Sequence, residues 1–147
     1  MLKTKEEIKK WLDKYSITKY TINEDLTVDV DGSVDLYKRK LKSIDVQFGI
    51  VKGFFYCHEN QLTSLEGCPK YVGLDFACYG NPTEGLDYCP KEIGGQFYCE
   101  NNPQLGNLKK LTDFNEIKKI LDIKKNKEEL NLLLKNSNQK APKKIKI

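Results

Sequence analysis

The side chains of this sequence that could do chemistry are five cysteines and a single histidine. Cys57 is followed directly by His58, which suggests a nucleophile beside its base. Strand geometry argues against that use. Neighbouring residues of a strand point to opposite faces, so the two side chains cannot hydrogen-bond directly. The scattered Asp and Glu residues offer no second base with a defined partner. The other chemistry that cysteines suggest is zinc binding, but the chain has no Cys-x-x-Cys pair to begin a site.

The spacing of the cysteines points elsewhere. Cys57, Cys78 and Cys99 lie 21 residues apart, and Cys68 and Cys89 keep the same step. So do Phe55, Phe76 and Phe97; Asn60, Asn81 and Asn102; Val51, Val72 and Ile93; and Pro69 and Pro90. A repeat of this length is the signature of a solenoid, in which each coil is one short unit stacked on the next. Such a stack presents a face more readily than it builds a catalytic cleft. It also disposes of zinc. A Zn–S bond of about 2.3 Å holds two ligands no more than ~4.6 Å apart. Cys57 and Cys99, two coils apart, would be separated by roughly 9–10 Å. Buried thiols suit a narrow core as small hydrophobes. The expectation is therefore no catalytic residue, no metal and no cofactor.

The elements that position these ladders can be read from the flanking sequence. Thr4 and Glu7 form a capping box, and Ile8, Trp11, Leu12 and Tyr15 follow at helical spacing, which predicts a helix over 4–15. Its apolar stripe would close the N-terminal end of the stack, whose last coil otherwise exposes its core face. Leu26, Val28 and Val30 alternate as a strand, and Asp31-Gly32 reads as a turn. Val34-Asp-Leu36 is in phase with Phe55-Tyr-Cys57, and Leu41 and Ile44 with Leu62 and Leu65. Residues 26–46 are thus a degenerate first coil, followed by coils at 47–67, 68–88 and 89–109. In the last, Leu105 and Leu108 sit one position beyond the phase. Within a coil Phe76-Ala-Cys78 reads as a short strand with Phe and Cys on one face. Gly73, and Gly94-Gly95 in the next coil, permit a tight turn and close stacking of backbones. Beyond Leu108 the repeat stops. Leu111, Phe114, Ile117, Ile120 and Leu121 form a helical stripe with Thr112 or Asp113 as N-cap, and a second helix is expected over 127–134.

The fold class expected is an α/β repeat solenoid of three to four 21-residue coils with helical caps at both ends. Its parts are an N-terminal cap over 1–25, the solenoid over 26–109, a C-terminal cap over 110–135 and a basic tail over 136–147.

Phe55-x-Cys57-x-x-Asn60-x-Leu62-x-x-Leu65 has the form of a leucine-rich repeat with Phe and Cys in two leucine places. The phrase Leu62-Thr-Ser-Leu65-Glu-Gly-Cys68-Pro69 resembles the short bacterial class of that family. It is most similar to repeats found in small proteins of tailed bacteriophages, as is the lead-in from Tyr20 to Gly32. The resemblance covers about residues 17–108, with Thr83 in place of the consensus Leu and Leu74 in place of the second Gly. It implies the fold and carries no shared activity. It also implies that Asn60, Asn81 and Asn102 turn inward and satisfy free backbone groups of neighbouring coils. The physics agrees, since tight coils leave amides that must be paired.

If Phe55 and Cys57 point in, then Phe54, Tyr56 and His58 point out. Their equivalents are Asp75, Ala77 and Tyr79, then Gln96, Tyr98 and Glu100, with Ser33, Asp35 and Tyr37 in the first coil. Exposed aromatics suit a protein-binding face, with tyrosine supplying area and one polar handle. Cross-strand packing alone can also account for aromatics on a sheet. With Asp75 and Glu100 the face is poor for nucleic acid, whose phosphates want cations.

Charge is unevenly spread. Residues 1–107 hold 13 Lys/Arg and 16 Asp/Glu, a balance of −3, whereas residues 108–147 hold 12 Lys and 5 Asp/Glu, a balance of +7. That C-terminal segment could meet nucleic acid or an acidic partner, although it has no arginine and no recognition motif. A solvated lysine-rich face is the simpler reading. No apolar run is long enough for a membrane span and the N-terminus has no signal-peptide pattern. Five cysteines, an odd number, fit a reduced compartment better than a disulfide framework. A cytoplasmic location is expected. The function expected is non-catalytic protein recognition by the strand face. If the phage resemblance holds, the partner is a host protein, and the chain is an accessory factor that inhibits or redirects a host (defence) protein. Nucleic-acid association through the lysine-rich segment, and self-assembly as a homo-oligomer or particle component, are the alternatives.

Overall fold

The computed structural model describes residues 1–83, 85–100 and 114–139. Two units are distinguished, Met1–Asp113 and Phe114–Ile147.

The first unit is a β-solenoid closed at its N-terminal end by a helix. Helix α1 spans Lys5–Lys14. It starts where it does because the Thr4 hydroxyl accepts from Glu7 N at 3.2 Å while the Glu7 carboxylate accepts from Thr4 N at 3.1 Å. The reciprocal bonds satisfy two orphan amides of the first turn. A third bond, from Lys3 N, is the chief reason that the Glu7 carboxyl is held below its usual pKa. Ile8, Trp11 and Leu12 are buried. The Trp11 ring meets Phe48 edge-on with centroids 6.2 Å apart, so the helix seals the first coils. The chain leaves α1 through Ser16 in the left-handed region (φ 56°).

Each coil contributes two short strands, and these line up in two sheets. Strands β1 (Tyr20–Ile22), β2 (Thr27–Val30), β4 (Gln47–Val51), β6 (Tyr71–Val72) and β8 (Glu92–Ile93) form one sheet in the order β1-β2-β4-β6-β8. Strands β3 (Val34–Asp35), β5 (Phe55–Tyr56), β7 (Phe76–Ala77) and β9 (Phe97–Tyr98) form the other in sequence order. Among the described residues the one antiparallel pair is β1 with β2, so β1 covers the N-terminal edge of the first sheet. Residues 1–25 are therefore more than a helical cap, since they also supply a strand.

All other pairings are parallel, and in β3-β5-β7-β9 the register is the sequence repeat itself: Val34, Phe55, Phe76 and Phe97 are mutual partners. The 21-residue step is interrupted once, where β2 meets β4. There Val28 faces Phe48 and Val30 faces Val51. The extra residue on β4 frees the Ile50 amide, which the Asp29 carboxylate accepts at 2.8 Å.

The core is thin and built of ladders. Phe55, Phe76 and Phe97 stack with centroids 6.0 and 5.7 Å apart and rings nearly parallel, and Phe48 closes the row edge-on at 5.2 Å from Phe55. Leu41, Ile44, Leu62 and Leu65 are buried, as are Cys57, Cys68, Cys78 and Cys99. All five thiols are free. A parallel stack at this spacing leaves no room for side chains at the corners. A Cβ on Gly73 would run into the Lys52 carbonyl oxygen, and one on Gly94 into that of Gly73.

The second unit holds one continuous helix, α2, over Phe114–Gln139. This corrects the expectation of two helices. The stretch Asp122-Ile-Lys-Lys-Asn126 contains neither Pro nor Gly, so nothing in it stops the first helix before the second begins. The helix also continues four residues into the segment read as a tail. Residues 140–147, the caps Thr112 and Asp113, Leu105, Leu108 and the ladder asparagine Asn102 lie outside the described residues. Among the described residues, no helix is long and apolar enough to cross a membrane.

Candidate functional site

The outer face of β3-β5-β7-β9 is a grid set by two periods. Along a strand, every second side chain points out. Across strands, the in-register repeat puts residues 21 apart side by side. Three outward rows result. One runs Ser33, Phe54, Asp75, Gln96; the next Asp35, Tyr56, Ala77, Tyr98; the third Tyr37, His58, Tyr79, Glu100.

The inward partners are Phe55, Phe76, Phe97, Cys57, Cys78 and Cys99, all buried. Asn60 and Asn81, at the end of the strand segment, are buried too. Asn60 Oδ1 accepts from Arg39 N and Leu41 N, both at 3.0 Å, and its Nδ2 reaches the carbonyls of Leu36 and Cys57 at 2.7 and 3.0 Å. Asn81 repeats this one coil on. It accepts from Leu62 N at 3.1 Å and donates to Cys57 O and Cys78 O at 2.9 and 3.0 Å. These amides replace a missing strand neighbour where the chain turns.

The third outward row is a ring stack. His58 lies between Tyr37 and Tyr79, with centroids 4.5 Å away on each side and planes within 28°. Parallel strands spaced about 4.8 Å apart bring in-phase rings to stacking distance. Tyr56 meets His58 edge-on at 5.5 Å and stacks on Phe54 at 4.2 Å. Ala77, whose neighbours in register are Tyr56 and Tyr98, is only 2% exposed, so the middle of the face has a continuous floor. Tyr37 is 40% exposed, and Phe54, Tyr56, His58, Tyr79 and Tyr98 are half-buried.

The polar members of the grid have two kinds of task. Ser33 Oγ accepts from Phe54 N at 3.1 Å, and Asp75 Oδ1 accepts from Gln96 N at 2.7 Å. Both sit in one row and do the same work, tying one coil to the next. Asp35 Oδ1 accepts from Tyr37 N at 3.0 Å. Gln96 is exposed and Glu100 half-buried.

Two flanking residues were missed by strand parity: Lys38 and Glu59. They follow the third row, and both adopt the left-handed conformation, as does Gly80 in the same phase (φ 51°, 55° and 66°). Lys38 Nζ lies 5.0 Å from the centre of the Tyr37 ring. The Tyr37 hydroxyl is the main cause of a raised Lys38 pKa. Gly80 was the available signal, because a glycine at one rung marks a position where all rungs share positive φ.

The electrostatics of the face follow from its partial burial and its carboxylates. Burial pushes the phenols of Tyr56 and Tyr79 upward, reinforced by Asp75 at the first and by Glu59 at the second. Burial lowers the pKa of His58, opposed by the nearby charges of Asp35 and Glu59. The cause is local. Nδ1 of His58 is shielded from solvent without a hydrogen-bond partner, so a proton there would be poorly solvated. Behind the sheet, burial drives the Cys68 and Cys78 thiols well above their ordinary pKa and the Cys99 thiol to about 11. They stay protonated at neutral pH, and it is the thiolate that attacks carbonyls or binds metals. Among the described residues, no three His, Cys, Asp or Glu side chains are grouped to hold a metal ion. Compared with known proteins, the chain matches no family model, no curated protein and no solved structure.

Proposed function

We propose that this chain is a non-catalytic protein-recognition module whose binding face is the outer surface of β3-β5-β7-β9. The observation that carries the reading is the ring system of Tyr37, Phe54, Tyr56, His58 and Tyr79, held partly exposed by its own stacking. Rings locked against one another lose little side-chain entropy when a partner covers them, which is what an interface anchor needs. The resemblance to leucine-rich repeats of tailed phages makes the partner a host protein and the setting the host cytoplasm. In that setting the module blocks or redirects a host activity, a defence protein among the candidates.

The test is affinity capture from host lysate with the wild type beside a folded Tyr56→Ala/Tyr79→Ala/Tyr98→Ala variant. A partner held by the wild type and lost from the variant supports the reading. An unchanged set of partners, or partners sensitive to nuclease, moves function to the lysine-rich C-terminal segment.

A second reading, self-association, draws on α2. Leu130, Leu132 and Leu133 of that helix are 57–66% exposed, an apolar cluster that a second copy could cover. An elution volume that shifts with protein concentration, and stops shifting in a Leu130→Lys/Leu133→Lys variant, is its signature.

A further inference from the structure

We infer that the aromatic face takes a cationic segment of its partner, an extended stretch bearing arginine or lysine. This deepens the recognition reading and rests on it. Four carboxylates border the rings: Asp35, Glu59, Asp75 and Glu100. The only ion pair among the described residues joins Lys52 and Asp31, so none of the four is neutralised by a salt bridge there. Asp35 and Asp75 each spend one oxygen on a backbone amide and keep the other.

The carboxylates also lie close enough to act on the rings. Burial chiefly raises the Tyr56 and Tyr79 phenols, and Asp75 and Asp35 at the first and Glu59 and Glu100 at the second push the same way. Lys38 is a cation beside them, and it already rests over the Tyr37 ring. One end of the row thus shows in place the contact that a partner would make along the rest, an ammonium against a tyrosine face. His58 adds no opposing charge at neutral pH, because burial keeps its imidazole neutral. A guanidinium is the best match. It stacks flat on a phenol while its edge donates to a carboxylate, and it is desolvated at lower cost than an ammonium. An acidic segment would meet four carboxylates, and nucleic acid would meet the same repulsion.

The experiment is selection of binders from a random twelve-residue peptide library displayed on yeast, against three folded proteins. These are the wild type, the Tyr56→Ala/Tyr79→Ala/Tyr98→Ala variant, and an Asp35→Asn/Glu59→Gln/Asp75→Asn/Glu100→Gln variant. The amide substitutions keep the oxygens that accept from Tyr37 N and Gln96 N. The expected result is a set of peptides rich in Arg and Lys that depends on the tyrosines. These should bind the amide variant about tenfold or more weakly and lose affinity steeply with salt. Tyrosine-dependent peptides with no cationic enrichment, or with equal affinity for the amide variant, overturn the cationic assignment and leave the recognition face standing. Absence of any tyrosine-dependent peptide overturns both.

Discussion

The inner and outer rows of one sheet are built from the same strands and differ in kind. Inside, beyond the first coil with its Val34 and Leu36, the rungs repeat: Phe55 over Phe76 over Phe97, Cys57 over Cys78 over Cys99, Asn60 over Asn81. Outside, Ser33, Phe54, Asp75 and Gln96 share a row, and so do Tyr37, His58, Tyr79 and Glu100. The stacking geometry imposes identity only where side chains are enclosed above and below by copies of themselves. A phenylalanine between two others in a narrow core has one shape that fits. An outward residue needs only to tolerate its neighbours, so each coil can carry something different. The repeated residues therefore specify the fold, and the unrepeated ones are free to specify what it binds.

The comparison is broken most severely from the inside. Phe76→Ala removes the middle ring of the stack between Phe55 and Phe97 and should cost about 3–5 kcal/mol. That is a large part of the ~5–15 kcal/mol available to a domain. Denaturant titration should show the midpoint collapse or the fold fail outright. A loss under about 1 kcal/mol would mean that the stack is not what holds the coils together. Asn81→Ala is expected to come next. It strands the Leu62 amide and removes the Asn81 donor from the carbonyls of Cys57, which keeps Asn60, and Cys78, at about 1–3 kcal/mol for a buried group left unpaired. Tyr79→Ala, by contrast, removes one half-buried outer ring of a three-ring stack and should cost under about 1 kcal/mol. If it costs as much as Phe76→Ala, the outer rings serve stability and the division between the rows disappears.

Strand alternation explains why one sheet was legible in the sequence and of the other only β2 was. Phe55-Tyr56-Cys57 shows two inward residues separated by one outward one, which is enough to display a period of two. The strands β6 and β8 are two residues long and offer a single inward position each, Val72 and Ile93. One apolar residue per coil gives a phase but no alternation, so beyond β2 the second sheet is visible only in three dimensions. The left-handed residues Lys38 and Glu59 were hidden for a related reason, since neither is a type that signals positive φ. The unbroken α2 was legible in the lack of any Pro or Gly between its two halves, and the two apolar stretches read as separate helices obscured it.

His58 sharpens the comparison through pH, since it is the one outward residue whose ring is enclosed on both sides like an inward one. Unfolded, its imidazole titrates near 6.5; folded, it titrates lower. Above pH 6.5 both states are neutral and the full stability is present. As pH falls through 6.5 the unfolded chain takes up its proton first, and stability declines until the folded imidazole also titrates. His58→Phe keeps a ring in the stack and should remove that part of the acid slope. An unchanged slope between pH 7 and 5 would place the acid sensitivity elsewhere.

The smallest expected effect tests whether the outer edge follows the repeat at all. Lys38, Glu59 and Gly80 share a left-handed backbone, and only the last has the residue suited to it. An L-residue in that region costs roughly 1–2 kcal/mol, while glycine loses about 0.4–1 kcal/mol through the freedom it gains when unfolded. Glu59→Gly should therefore stabilise slightly, by about 0.5 kcal/mol, even though it deletes a side chain. The reverse change, Gly80→Ala, should destabilise by about 1 kcal/mol or more. Its Cβ would also come within 2.9 Å of Glu59 Oε1, which must move aside. Paired melts of the two variants read the sign directly. Opposite shifts mean that the backbone repeats more faithfully than the side chains it carries. The glutamate then stays at position 59 at the expense of stability, which is the cost expected if the proposed cation-binding face uses it.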